Sequence, residues 1–173
     1  MVLPWLADNT PFVFFRCFAM SSTPVISSLP VDKELVLKVI PMPSDTNSNG
    51  DIFGGWVMAQ VDKAAAVLAT RVVQGRVATV AVKEFIFKHP VRVGDLLSFC
   101  SSVVRVGRTS VTVDVEVFAE SLATQGRYVK VTQALLTYVA IDEHGQPRPI
   151  ATAGTAPGTG RSEEHTSELQ SRL

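Results

Sequence analysis

A chain of 173 residues with a mass of 18.7 kDa is the size of one domain, because two would each bury too little apolar surface to be well stabilised. Apolar residues make up 46% and charged residues 18%, with 16 Lys and Arg balanced by 16 Asp and Glu. That composition excludes an extended polyelectrolyte chain and removes the basic excess from which binding to nucleic acid or an anionic membrane is inferred.

The opening stretch, MVLPWLADNTPFVFFRCFAM, has no early positive charge, and Pro4, Asp8, Pro11 and Arg16 interrupt its apolar run. It does not read as a secretion signal. An alternative is that Met20 is the true start and residues 1–19 are an over-extended reading frame. Residues 21–33 are rich in Ser and Pro, have no period, and read with residues 1–20 as a flexible lead-in. No apolar run approaches the ~18 residues of a membrane span. The two cysteines, Cys17 and Cys100, belong to no CxxC pair or Cys/His cluster, which predicts a reduced, cytoplasmic protein without a metal.

The folded domain is expected over residues 34–150. A strand is predicted at 34–41. From Gly55 to Val73 the run is Ala-rich and free of Pro, with apolar residues at 57, 58, 61, 64, 65, 67, 68 and 72, which is helical spacing. A helix apolar over most of its circumference belongs inside a fold. Gln74-Gly75 marks its end, and Arg71 in its last turn suits the helix dipole. Val111, Val113, Val115 and Val117 alternate with Thr112, Asp114 and Glu116, a period-2 strand with one buried face. Further strands are predicted at 76–88, 96–106 and 127–141, separated by Pro90, Gly94, Gly107 and Gly126. The order of strand, helix and a meander of four long strands predicts an α+β domain, an antiparallel sheet wrapped on one long helix. Residues 151–160 are a small-residue linker. Arg161 to Ser171 resembles the translation of a sequencing-library adapter, on which account residues 161–173 are an assembly artefact; the other account is a disordered tail.

Within this frame one residue is out of place. Asp62 is a carboxylate in the middle of an apolar helix, and an unpartnered buried carboxylate costs several kcal/mol. It must be paired, open to a cleft or shifted in pKa, or else it and Lys63 mark a narrow polar stripe at the surface. The loop Asn49 to Gly55 (NGDIFGG) places two adjacent glycines at the helix start, where bare N–H groups and the helix dipole suit an oxyanion. Ordinary capping by Asp51 or Asn49 is the alternative. Gly107-Arg108-Thr109-Ser110 is a turn with one cation and two hydroxyls, fit either to grip a phosphate or simply to close a hairpin. Lys83, Lys88 and His89 add positive charge near the first long strand. The histidines are scattered, and neither a catalytic triad nor a GxxxxGK[ST] or GxGxxG motif is present.

The segments MPSDTNSNGDIFGGWVMAQVDKAAAVLA, GRVATVAV, FKHPVRVGD, VGRTSVTVDVEV and TYVAIDEHGQPRPI, spread over residues 34–150, resemble the YciA-type acyl-CoA thioesterases of the hotdog superfamily. The resemblance implies a hotdog fold, in which a curled antiparallel sheet wraps the long helix and two protomers join sheets edge to edge with active sites between them. It implies that Asp62 is general base or nucleophile, that Gly54 or Gly55 amides hold the thioester carbonyl, and that Asn49 and Asp51 of a partner chain orient the water. It places Arg108, Thr109 and Ser110 at the nucleotide end of CoA and residues 76–82, Thr79 and Val80 among them, along the pantetheine arm. The substrate implied is fatty acyl-CoA, with no cofactor, no nucleic acid and no membrane as partner, in a homodimer at least and a trimer of dimers by analogy. Physical logic agrees: a thioester carbonyl is electrophilic enough that an oxyanion donor pair and one base suffice, and an apolar helix that raised the carboxyl toward neutrality would make it a better base. A hydroxyacyl thioester dehydratase on the same fold leans on a catalytic His, and none is near the helix. A non-catalytic acyl-CoA sensor is the other alternative.

Overall fold

Among the described residues, a six-stranded antiparallel sheet packs one face on one long helix. The computed structural model describes residues 24–121, 123 and 125–151; the expectations for the start at Met20, most of the lead-in, the linker and the adapter-like tail lie outside those residues. The elements in chain order are β1 (Val25–Ile26), β2 (Glu34–Val39), a 3-10 turn (Pro43–Asp45), α1 (Gly54–Val73), β3 (Val77–Phe87), β4 (Asp95–Val106), β5 (Ser110–Ser121) and β6 (Tyr128–Ala140).

Helix α1 forms where the spacing predicts it. Val57, Val61, Ala64, Ala65, Ala69 and Val73 are its buried stripe, and the small alanines let the sheet approach closely. Against them lie Leu97 and Phe99 of β4, the four alternate valines of β5, and Val131, Leu136 and Tyr138 of β6. Each Val so buried contributes about 1.5–3 kcal/mol. The helix ends at Gln74, whose φ of 51° is left-handed. Its last carbonyls are met from the far end of the domain, where Arg148 Nη2 donates to Val73 O at 3.1 Å. Arg71 lies in the last turn, as expected for the helix dipole, and also pairs with Glu34 across the surface.

Three expectations need correction. The four strands after the helix are not a simple meander, since the sheet order is β1-β6-β5-β4-β2 and β3 also pairs with β6. Only β4, β5 and β6 are successive neighbours. The segment after β3 cannot close a tight hairpin, because Lys88 and His89 donate to Val131 O and the chain is then tied under the helix start by Ile52 N to Val91 O at 2.8 Å. It therefore crosses the end of the sheet before β4 begins.

The second correction concerns β5, whose polar face is covered as well. Asp114 is 7% exposed. Its carboxylate accepts from Gln133 Nε2 at 3.0 Å and pairs with Lys33, while Glu116 pairs with Lys33 at 3.2 Å and Lys130 at 2.6 Å. Charge can be buried here only because it is mutually compensated. The third correction follows from the second. Part of the lead-in belongs to the fold: β1 pairs Val25 with Val129 and Ile26 with Tyr128, and Lys33 anchors the strap that follows it.

Candidate functional site

Asp62 lies on the flank of α1 where β3 and β6 pass. Thr79 and Tyr138 are direct cross-strand partners, so their side chains share one face and arrive together. Thr79 Oγ1 donates to Asp62 Oδ1 at 2.9 Å. The Tyr138 hydroxyl lies 2.8 Å from the same Oδ1 and 2.9 Å from the Asp62 backbone oxygen. A register shift between Thr79 and Ala81 bends β3 at this point, the usual means by which a bulge re-aims a side chain. Of the options the sequence left open, Asp62 takes pairing, and it stays partly open to solvent.

Tyr138 itself is 1% exposed. Burial first, and then its hydrogen bond to Asp62 and the charge of that carboxylate, push the phenol well above its ordinary range. It is a neutral donor at any pH the protein meets. Sequence reasoning did not single it out, although a signal was there. Ala134, Leu136, Tyr138 and Ala140 share the inward face of β6, and a buried tyrosine hydroxyl needs a partner. Asp62 is the carboxylate of the facing helix.

The helix start is open. Its N-cap is Phe53, with no side-chain cap, so neither Asp51 nor Asn49 does the capping that was the alternative. The loop is closed instead by Asn47, whose Oδ1 accepts from Asn49 N at 2.8 Å and Asp51 N at 3.3 Å, with Gly50 at a φ of 82°. Trp56 and Val57 amides return to Phe53 O, and among the described residues no acceptor faces the Gly54 and Gly55 amides. A Cβ on Gly54 would sit 3.1 Å from the Phe87 ring, whereas one on Gly55 would meet open space. Beside Gly54 a cavity of about 320 Å³ is lined by Asp51, Ile52, Val57, Phe87, Lys88, His89, Pro90 and Val91.

Within one chain these parts stand apart. Asp51 faces Arg92 at 3.9 Å, Asn49 is exposed, and neither touches Asp62. Eight residues of helix separate Gly54 from Asp62, about 12 Å at 1.5 Å per residue. Val80 follows Thr79 and points outward, 57% exposed. The Gly107–Ser110 turn closes the β4–β5 hairpin, with Gly107 N donating to Ser110 O at 2.7 Å; Ala140 N and Ile150 N take the carbonyls of Thr109 and Arg108. Arg108 is exposed there. Among the described residues no cluster of three His, Cys, Asp or Glu side chains could hold a metal ion, and no helix is long and apolar enough to cross a membrane.

Comparison with known proteins gives the family. A family model described as the thioesterase superfamily matches residues 49–124. The acyl-CoA thioester hydrolase YciA of Salmonella typhimurium is 46% identical over 123 residues, which are 70% of this chain and 92% of that protein. Its Escherichia coli counterpart is 45% identical over 119 residues, 68% of this chain and 90% of that protein. Among solved structures, the hexameric thioesterase from Yersinia pestis superposes with a TM-score of 0.67 at 44% identity, covering 72% of this chain and all of that one. The hexameric hotdog-fold thioesterase of Campylobacter jejuni superposes at 0.66 and 44% identity, covering 70% and 93%. With a matching fold, and relatives 45–46% identical over nearly their whole length, this chain belongs to the thioesterase superfamily, and within it to the hotdog-fold, YciA-type acyl-CoA thioester hydrolases.

Proposed function

We propose that this enzyme hydrolyses the thioester of fatty acyl-CoA to the free acid and CoA, with Asp62 as the reacting carboxylate. The observation that carries the proposal is the Asp62 carboxylate held by the Thr79 and Tyr138 hydroxyls on a helix whose first amides are uncapped. Acting as base, Asp62 takes a proton from water as the hydroxide attacks the carbonyl; the tetrahedral oxyanion is met by Gly54 or Gly55 amides, and the C–S bond breaks as the proton passes to the leaving thiolate. Acting as nucleophile, it would displace CoA to form a mixed anhydride, which water then opens. The reaction as written needs no cofactor.

Because the amides and Asp62 of one chain are about 12 Å apart along the helix, one carbonyl reaches both only if a second protomer supplies one of them. The apolar outer edge of β3, with Val80 57%, Val82 45% and Ile86 56% exposed, supports pairing of sheets edge to edge, which sets the partner's Asn49–Gly55 loop against Asp62. Asn49 and Asp51 then orient the water, and the hexameric state named for solved relatives is the assembly proposed here. Arg108, with Thr109 and Ser110, is assigned to the phosphates of CoA, and Val80 to the wall along the pantetheine arm.

The test is thiol release from short-, medium- and long-chain acyl-CoAs by the protein and by its Asp62→Asn variant. Turnover by the first and a loss of about a hundredfold or more in the second is the expectation for removal of a general base. Binding of CoA with no turnover of any substrate would replace hydrolysis with the sensor reading.

A further inference from the structure

Both hydroxyls at the site go to one oxygen of the carboxylate. Thr79 and Tyr138 meet Asp62 at Oδ1, 2.9 and 2.8 Å away, and among the described residues Oδ2 receives no hydrogen bond. The Tyr138 hydroxyl also lies 2.9 Å from the Asp62 backbone oxygen, so a single phenol ties the side chain to its own turn of helix. The phenol is fixed in its turn, because its ring is fully enclosed in the core between β6 and α1.

We propose that Tyr138 is a positioning residue: it occupies Oδ1 together with Thr79, locks the rotamer of Asp62, and thereby makes Oδ2 the oxygen that takes the proton or attacks the carbonyl. This rests on Asp62 being the reacting carboxylate. Its physical basis is that a carboxylate oxygen already accepting two hydroxyl hydrogens has little remaining basicity, while the oxygen left bare keeps its lone pairs for the substrate. A carboxylate held in one orientation reacts without first having to be ordered.

Tyr138→Phe removes one oxygen and keeps the ring that fills the core. The expected result is a fall in kcat of about ten- to a hundredfold, the scale of a misplaced reacting group, with KM little changed. A role confined to packing would lower the melting temperature and leave kcat in place, which overturns the proposal. Independently of turnover, the carboxylate stretching bands of Asp62, isolated at neutral pH by infrared difference against Asp62→Asn, are expected to shift in Tyr138→Phe, because Oδ1 loses one of its two donors. Unmoved bands overturn the proposal even if the protein hydrolyses nothing, whereas absence of turnover in the unaltered protein counts only against the thioesterase reading. Should Tyr138→Phe not fold, a fluorinated tyrosine at the same position, a stronger donor of nearly the same size, is expected to shift the same bands in the opposite direction, and unmoved bands overturn the proposal.

Discussion

Asp62 has a neighbour whose removal is simpler to read than its own. Thr79→Val keeps the shape of the side chain and deletes one of the two hydrogen bonds to Oδ1. A hydrogen bond to a charged group contributes about 1.5–3 kcal/mol, so kcat is expected to fall about tenfold or more in thiol-release assays, while Thr79→Ser keeps the hydroxyl and most of the rate. A second residue-scale outcome lies at the other end of the helix. Gln74 holds a φ of 51°, a left-handed conformation that costs an L-residue about 1–2 kcal/mol and glycine very little. Gln74→Gly is therefore expected to stabilise the fold by about 0.5–1 kcal/mol in denaturant titrations, after glycine's extra chain entropy is set against the relief. Equal or lower stability would mean that the strain is absorbed elsewhere.

At the scale of elements, the outer face of β5 is held by charge. Burial works to lower the pKa of Lys33, but the Asp114 and Glu116 carboxylates outweigh it and the net shift is upward from 10.5. The sign of the linkage follows: stabilisation from this lysine is fully present below its unfolded-state pKa and is lost as pH rises through the folded-state value. Lys33→Met is expected to cost about 1–3 kcal/mol, the scale of leaving buried polar groups without a partner. The gap between the two proteins should hold constant from neutral pH to about pH 9 and narrow above pH 10.5, which denaturant titrations across that range will measure. The same shielded environment pushes the Cys100 thiol up, burial first and Glu116 next, which makes it a poor nucleophile. The end of α1 depends on the chain's last described turn. Arg148 donates to Val73 O and Ile141 O, and Gly75 leaves room for its guanidinium, which a Cβ at that position would push aside.

For the whole molecule, the edges of the sheet are what the proposed assembly depends on. Among the described residues one edge is β2, partnered only by β4, and the other is shared by β3 and the short β1, each partnered only by β6. An exposed apolar strand edge invites pairing with another copy, and a charge placed on it blocks that pairing. Ile86→Lys alters a side chain 56% exposed, so the folded protomer should lose little stability, within about 0.5 kcal/mol. The expected outcome by sedimentation velocity is a shift from the assembled state to monomer, with thioesterase activity lost in parallel. An active monomer would refute the shared site.

Much of this was legible in the chain itself. Helix α1 is readable because Val57, Val61, Ala64 and Ala65 recur at the helical period, and β5 because its valines alternate; both patterns depend only on neighbours a few residues away. The anomaly of Asp62 is equally local, since a carboxylate in an apolar run is conspicuous wherever the helix packs. Which groups satisfy it is not local. Thr79 and Tyr138 lie 59 residues apart and become neighbours only when β3 leaves its sequence successor to pair with β6, and no periodicity encodes that choice. Lys33 likewise reads as part of a polar lead-in until the fold brings Asp114 and Glu116 beneath it. Short-range spacing thus determined the elements and the residue that stands out among them. Strand order, a long-range balance of burial and hydrogen bonding, decided which hydroxyls grip that residue and which edge of the sheet is left open.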